Sequence, residues 1–250
     1  SQLISAQVDA ADILAEYRTT RYADHFFNLK IGVPYADLDR RLDMASVLSL
    51  CGDAPMQESA TSAESCIMGV DTGRALHVVI LKQDPRNDQR QILIHLGVYR
   101  EFADLAGLMK RYSIERCVID GLPETHATRE FARAQSAAVY LSFFNDHQRG
   151  DTLWDHREGQ VQTNRTEALD ASRAAIRDKR VTLPKRDRLV ETFAKHMAAD
   201  AKKLEVDEQT GAQKYSYIKT GENHFGFAFT YAWLAALENM RYSGFVFVSF

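Results

Sequence analysis

Ile67-Met68-Gly69-Val70-Asp71-Thr72-Gly73-Arg74, continued by Ala75-Leu76-His77-Val78-Val79-Ile80-Leu81-Lys82, is the stretch from which the fold can be read. The first part reads as a buried strand that ends in a carboxylate. Gly73 marks a tight turn, and the β-branched run after it reads as a returning strand. An Asp near a Gly is also ordinary turn chemistry, so Asp71 alone proves little. The arrangement recurs in Glu115-Arg116-Cys117-Val118-Ile119-Asp120-Gly121-Leu122-Pro123, where a short apolar strand again delivers an Asp before Gly and Pro break it. Two strands that each end in Asp are what a metal-binding carboxylate cluster on a sheet requires.

Outward from the hairpin, Gln89–Tyr99 reads as a third strand, joined through a polar link that contains Pro85. Phe102, Leu105, Leu108 and Met109 recur at helical spacing within Arg100–Tyr112. After the Asp120 strand, Glu124–Gln135 reads as a helix and Ala137–Phe143 as a fifth strand. The predicted core is thus an antiparallel meander extended by parallel strands through helical crossovers. Further on, Asn164-Arg165-Thr166-Glu167 has the capping-box pattern and opens a helix that runs to Lys179. Val181–Pro184 reads as extended, Asp187–Ala199 as a helix and Tyr215–Ile218 as a strand. Gly221-Glu222-Asn223-His224 then opens a long helix, apolar nearly all round and hence expected to be buried on the sheet. Gly150–Val161 shows no clear pattern, and Gly244–Phe250 reads as a strand or a tail. Upstream, Gln7–Arg18 reads as an amphipathic helix, Asp24–Asp37 as an irregular apolar knot and Leu38–Leu50 as a short helix. Cys51–Glu64, rich in Gly, Asp, Pro, Ser and Thr, reads as a linker, and the main boundary is placed there.

With 250 residues, 45% of them apolar, the chain has room for one large domain, or for one domain plus a lead-in. No apolar run approaches the length of a membrane span, and no secretory signal is visible. Cys51, Cys66 and Cys117 have no zinc-site spacing and fit free thiols in a reducing compartment. The net charge is −3, so overall charge does not announce a nucleic-acid partner. Its distribution is more informative. Between Arg173 and Lys203 ten Lys/Arg stand against four Asp/Glu, a local net of +6. An enzyme that holds metal at one place and phosphate backbone at another needs acids and bases segregated in this way. A solvated helical face explains the basic stretch equally well.

The element order, with acids ending the first and fourth strands and a polar start to the last helix, resembles the ribonuclease H-like superfamily. Within it, the chain resembles the nuclease domain of phage terminase large subunits, the genome-packaging motors. The resemblance is carried by Phe26–Tyr35, by Gly69–Gly73, by Asn164–Asp170 with Arg180–Pro184, and by Asn223-His224-Phe225 followed by Tyr231-Ala232. It implies an α/β fold with a central mixed five-stranded sheet and helices on both faces. Residues 1–63 would be a lead-in and linker from an ATPase domain, and 64–250 the nuclease domain. No Walker A pattern occurs in the chain. The implied activity is endonucleolytic cutting of concatemeric double-stranded DNA by two Mg²⁺ or Mn²⁺ ions, in a viral protein of the host cell cytoplasm. The implied partners are double-stranded DNA and, in a full-length motor, the terminase small subunit and the portal protein, with no membrane.

Hard cations take oxygen ligands, so carboxylates from several strands must converge. Asp71 is expected to bridge the metals and Asp120 to hold one of them. The third ligand should come from the start of the last helix. The resemblance implies Asp before the His there, but Asn223 occupies that place, so Asn223, Glu222 and His224 are all candidates. Asn is also a favoured helix N-cap. On these grounds Asn223→Asp is expected to tighten metal binding with little change in fold. His77, His95, His196 and the remaining histidines show no zinc spacing and are read as non-ligands. Lys179, Arg180, Lys185, Arg186 and Arg188 are the expected contacts to DNA backbone. A metal-free scaffold that binds DNA or a packaging partner is the alternative reading. Another nuclease of the superfamily, such as a resolvase or transposase, is a third that the lead-in and Asn164–Pro184 argue against.

Overall fold

The computed structural model describes residues 42–61, 64–148, 150–206 and 213–243. The Gln7–Arg18 helix, the Asp24–Asp37 knot, the first residues of Leu38–Leu50 and the Gly244–Phe250 tail lie outside the described residues. The chain divides into two compact units. One comprises Ser1–Arg41 with Lys202–Ser216, of which only segments of a β-ribbon are described. The other, Leu42–Ala201 with Tyr217–Phe250, contains the sheet and every candidate site residue.

Strands β1 (Cys66–Asp71), β2 (Leu76–Asp84) and β3 (Asn87–Tyr99) form the expected antiparallel meander. Helix α1 (Met44–Leu48) precedes them, with Asp43 accepting the Ser46 N–H at its N-terminus. After β3, α2 (Phe102–Arg111) crosses to β4 (Ile114–Asp120), which pairs with β1 in parallel. Helix α3 (Thr125–Arg133) then leads to β5 (Ala138–Phe144), parallel to β4. The central order is therefore β3-β2-β1-β4-β5, with only β2 running against the rest, and this is the ribonuclease H-like arrangement.

The sheet is wider than the five strands expected. β7 (Gln160–Thr163) adds to β5, β6 (Leu153–Asp155) adds to β7, and β8 (Val181–Thr182) adds to the far edge of β3, making eight. These additions are two to four residues long and partly exposed, too short for an alternating pattern to show. Residues 51–61, read as a linker, run along this unit and are pinned by backbone bonds from Gly52 to Leu183, Gln57 to Ile94 and Ala60 to Arg111.

Helices cover both faces. α2 and α3 bury Leu105, Leu108, Met109 and Phe131 against Met68, Val70, Val78 and Ile80. The other face carries α4 (Arg165–Arg177), α5 (Arg188–Met197) and the long α6 (His224–Ser243), packed on Ile67, Val79, Leu81 and Val118. Asn164 caps α4 by accepting the Thr166 and Glu167 N–H groups, and Asp187 caps α5 in the same way. In chain order, β9 (Asp200–Val206) and β10 (Gln213–Lys219) follow α5 and precede α6, and they pair with each other as a two-stranded ribbon. α6 is apolar nearly all round because it lies between the sheet and other helices, as its composition required. A Cβ on Gly69 would stand 2.1 Å from the Ala228 carbonyl and 2.2 Å from the Ala232 nitrogen, so only glycine lets α6 settle this close to β1.

Candidate metal centre

Side chains alternate across a strand, so Ile67, Gly69 and Asp71 face α6 while Met68 and Val70 face away. By the same count Val118 and Asp120 face α6 from β4. Because β1 and β4 are parallel neighbours, both acids emerge at the same end of the sheet. The Thr72 hydroxyl donates to the Leu122 carbonyl at 2.8 Å and ties the two strand ends together. The expected pair of carboxylates is therefore assembled by one crossover, which sets β4 parallel to β1, and one tether.

His224, the first residue of α6, lies over Asp71, with Nδ1 2.8 Å from Asp71 Oδ2. Seven residues on, two turns along the same helix face, Tyr231 lies beside Asp120. Burial raises the Asp71 carboxyl above its ordinary range, and the contact with His224 opposes that shift. Burial also pushes Asp120 up to about 6, with the Asp71 charge adding to it, while the Leu122 N–H and the Tyr231 hydroxyl oppose. The Asp71 contact raises His224. Two desolvated carboxylates that repel each other, with an imidazole against one of them, are stabilised by a bound cation. The residues present thus fit a divalent metal.

His77 also enters the site. It is the register partner of Asp71 across the hairpin and faces α6 with it. Its ring stacks on His224 at 4.7 Å between centroids and 15° between planes. Asp71, His77 and His224 each present a ligand atom within 4.8 Å of the other two. Burial, then the neighbouring His224 and His196, push the His77 imidazole down to about 4. Spacing along the chain gave no sign of this, because the partner is supplied by strand register. Centring the hairpin turn on Arg74 would have revealed it.

The remaining sites at the start of α6 have other engagements. Asn223 is buried, and its amide donates to Asp200 Oδ1 at 2.6 Å. The other oxygen of Asp200 holds Arg173 at 2.7 Å, and Arg173 also donates to Thr230 and the Gly226 carbonyl. This buried network anchors the first turns of α6. The side-chain N-cap expected of Asn223 is replaced by His196, whose Nδ1 accepts the Phe225 N–H at 3.2 Å. Glu222 is 76% exposed, with an oxygen 3.7 Å from His196 Nε2.

Lys179, Lys185, Arg186 and Arg188 are exposed and Arg180 is half-buried. Arg186 pairs with Glu191, and the Arg180 guanidinium lies over the Trp233 ring. Register places this stretch at the opposite end of the sheet from the acids, since Cys66, Lys82, Ile92 and Thr182 are level across four strands. Five residues along and three strands across amount to roughly 20 Å from Asp71. Two cations that the sequence reading passed over act at the acid end. Lys219 lowers the Asp71 carboxyl, and Arg165 acts on Tyr231 while lying over the Phe227 ring.

No family model and no curated protein matches the chain. Among solved structures, it is similar to the large terminase nuclease from thermophilic phage G20c with bound magnesium, at 14% identity and a TM-score of 0.49, over 77% of this chain and 96% of that one. The same nuclease with bound zinc aligns at 13% identity and a TM-score of 0.45, over 76% and 97%. The large terminase from a second thermophilic bacteriophage aligns at 10% identity and a TM-score of 0.48, over 90% of this chain and 52% of that one. These likenesses are of chain path; the ribonuclease H-like arrangement of this chain rests on its own strand order and directions.

Proposed function

We propose that this chain is the metal-dependent endonuclease domain of a viral DNA-packaging terminase, cutting concatemeric double-stranded DNA by phosphodiester hydrolysis. The observation that carries the reading is the pair Asp71 and Asp120, delivered to one end and one face of the sheet by neighbouring parallel strands. Divalent cations bound there, Mg²⁺ or Mn²⁺, supply an activated water and neutralise charge on the leaving oxygen. The chain's own residues do the positioning. Asp71 and Asp120 offer carboxylate oxygens toward a shared space. His224 holds Asp71 Oδ2, and the Leu122 N–H holds Asp120 Oδ1 at 3.1 Å. Thr72 fixes the separation of the two strand ends. Arg165 and Lys219 place positive charge where a phosphate backbone would approach. The terminase small subunit and portal protein are the partners this reading assigns to the full motor.

Plasmid nicking with and without Mn²⁺ tests the proposal. Asp71→Ala and Asp120→Ala should each abolish cleavage while circular dichroism and melting report a folded protein. Cleavage by either variant at the parental rate would displace the site. The absence of a third acid at Asn223 favours the alternative, a ribonuclease H-like scaffold that binds DNA without cutting it. DNA binding with no cleavage in millimolar Mn²⁺ or Mg²⁺ would establish that reading instead.

A further inference from the structure

We propose that Asp71, His77 and His224 form a nitrogen-rich metal position, one carboxylate and two imidazoles, that takes borderline divalent ions such as Co²⁺ and Zn²⁺ in preference to Mg²⁺. It deepens the nuclease reading and rests on it, in that one metal position would be built from Asp71 and the two histidines and the other from Asp120.

The geometry carries the inference. The three ligand atoms lie within 4.8 Å of one another, contributed by β1, β2 and α6. A 2.8 Å separation between His224 Nδ1 and Asp71 Oδ2 is what two ligands at about 2.0–2.1 Å subtend at roughly 90°. The two atoms therefore already span one edge of a coordination shell. Two ligands of a tetrahedral ion at those distances stand about 3.4 Å apart, so His77 has up to about 1.5 Å to move, within reach of a side-chain rotation. A neutral imidazole keeps one nitrogen as an acceptor, so with its N–H toward the Ala75 backbone the other His77 nitrogen is open to a cation. His196, the third imidazole of the cluster, is not a ligand in this arrangement. Its Nδ1 accepts the Phe225 N–H, which leaves its proton on Nε2 facing Glu222. It holds the start of α6 and so fixes His224.

The donor set decides the ion. Mg²⁺ demands oxygen ligands and gives up water reluctantly, whereas imidazole nitrogen suits Zn²⁺, Co²⁺ and Ni²⁺. A site made only of Asp71, Asp120 and water would not discriminate in this way.

X-ray absorption of the protein loaded with one equivalent of Co²⁺ or Zn²⁺ tests the proposal without any variant. Two imidazoles in the shell are expected, and an all-oxygen shell or a single imidazole would overturn it. Cobalt titration followed in the visible provides the second arm. Wild type and Asp120→Asn should give the same Co²⁺ spectrum. His77→Ala should bind Co²⁺ at least about tenfold more weakly, since even supporting residues of metal sites cost that much. Unchanged Co²⁺ affinity in folded His77→Ala would overturn the proposal. Should plasmid cleavage still depend on Asp71 and Asp120, the nuclease reading would stand without it. Histidine-dependent Co²⁺ binding with no cleavage in any metal would uphold the metal position and remove the nuclease reading.

Discussion

At residue scale, Asn223 shows how a contact reverses an expectation. From sequence, Asn223→Asp promises a third acid at the metal while keeping the N-cap function. In the fold its amide donates to Asp200 in a network where Asp200 and Arg173 are almost wholly buried. An aspartate there would lose a hydrogen bond and set two carboxylates face to face. Breaking a buried charged network of this kind costs about 3–5 kcal/mol. We expect Asn223→Asp to destabilise the protein by roughly that amount in urea unfolding and to bind Mn²⁺ no more tightly. A variant of parental stability with tighter metal binding would return Asn223 to the ligand set. A second residue, His95, lies on the opposite face of the sheet. Its Nε2 meets Tyr99 Oη at 2.7 Å and its Nδ1 meets Tyr112 Oη at 3.0 Å. The Tyr112 hydroxyl already donates to the Gln57 carbonyl, so His95 carries its proton on Nδ1. Burial lowers this imidazole to about 4 from an ordinary value of 6.5. The unfolded chain therefore binds a proton between those values that the folded protein does not. Stability contributed by neutral His95 is complete above pH 6.5 and is lost as pH falls toward 4, with a limiting slope of about 1.4 kcal/mol per pH unit. Melting temperature should fall between pH 7 and pH 5, and His95→Gln should show a shallower fall. Parallel curves for the two proteins would remove His95 as the cause.

At element scale, the site depends on how closely α6 approaches β1. Gly69 is the contact point, where a single methyl would meet helix backbone rather than a side chain that could move aside. Gly69→Ala should therefore push the helix outward and separate His224 from Asp71. We expect a loss of about 3 kcal/mol or more, at or beyond the upper end of the usual cost of overpacking because the clash is with backbone, and loss of any metal-induced rise in melting temperature. A fully stable Gly69→Ala protein with an unaltered metal response would show that the helix position tolerates more than this packing implies. The same close approach explains why α6 carries Ala228, Ala232, Ala235 and Ala236 on buried positions. Small side chains let the helix backbone reach the sheet, and the larger His224 and Tyr231 project to the acids beyond it.

At the scale of the whole molecule, charge is segregated along the strand direction. The carboxylates occupy one end of the sheet and the Lys179–Arg188 stretch the other. The two would meet a single DNA duplex at points roughly 20 Å apart, and neither can act directly on the other. Charge reversal at Lys185 and Arg186 should weaken DNA binding and reduce the salt slope by up to about 2, one phosphate contact for each. Cleavage at saturating DNA should be unchanged. If affinity and slope do not move, the stretch is a solvated face. If cleavage at saturation falls as well, the distance argument fails.

Much was legible in the sequence because it is written locally. Apolar, β-branched runs marked the five central strands, helical spacing marked α2, an all-round apolar run after a polar start marked α6, and each Asp sat where its strand ran into a Gly or Pro. The ends of β1 and β4 could be read as acid-bearing without knowing where they meet. Short edge strands were not legible, since two to four residues carry no period. Nor was the candidate site, which joins residues 71, 77, 120, 224 and 231 through strand register, a crossover and a helix packed on glycine. His77 looked like any strand residue until its register partner was known, and Asn223 looked like a cap until Asp200 arrived beside it. Periodicity reports which way a side chain faces relative to its own backbone. What stands opposite it is set by contacts between segments up to about 150 residues apart, and only the folded structure contains that information.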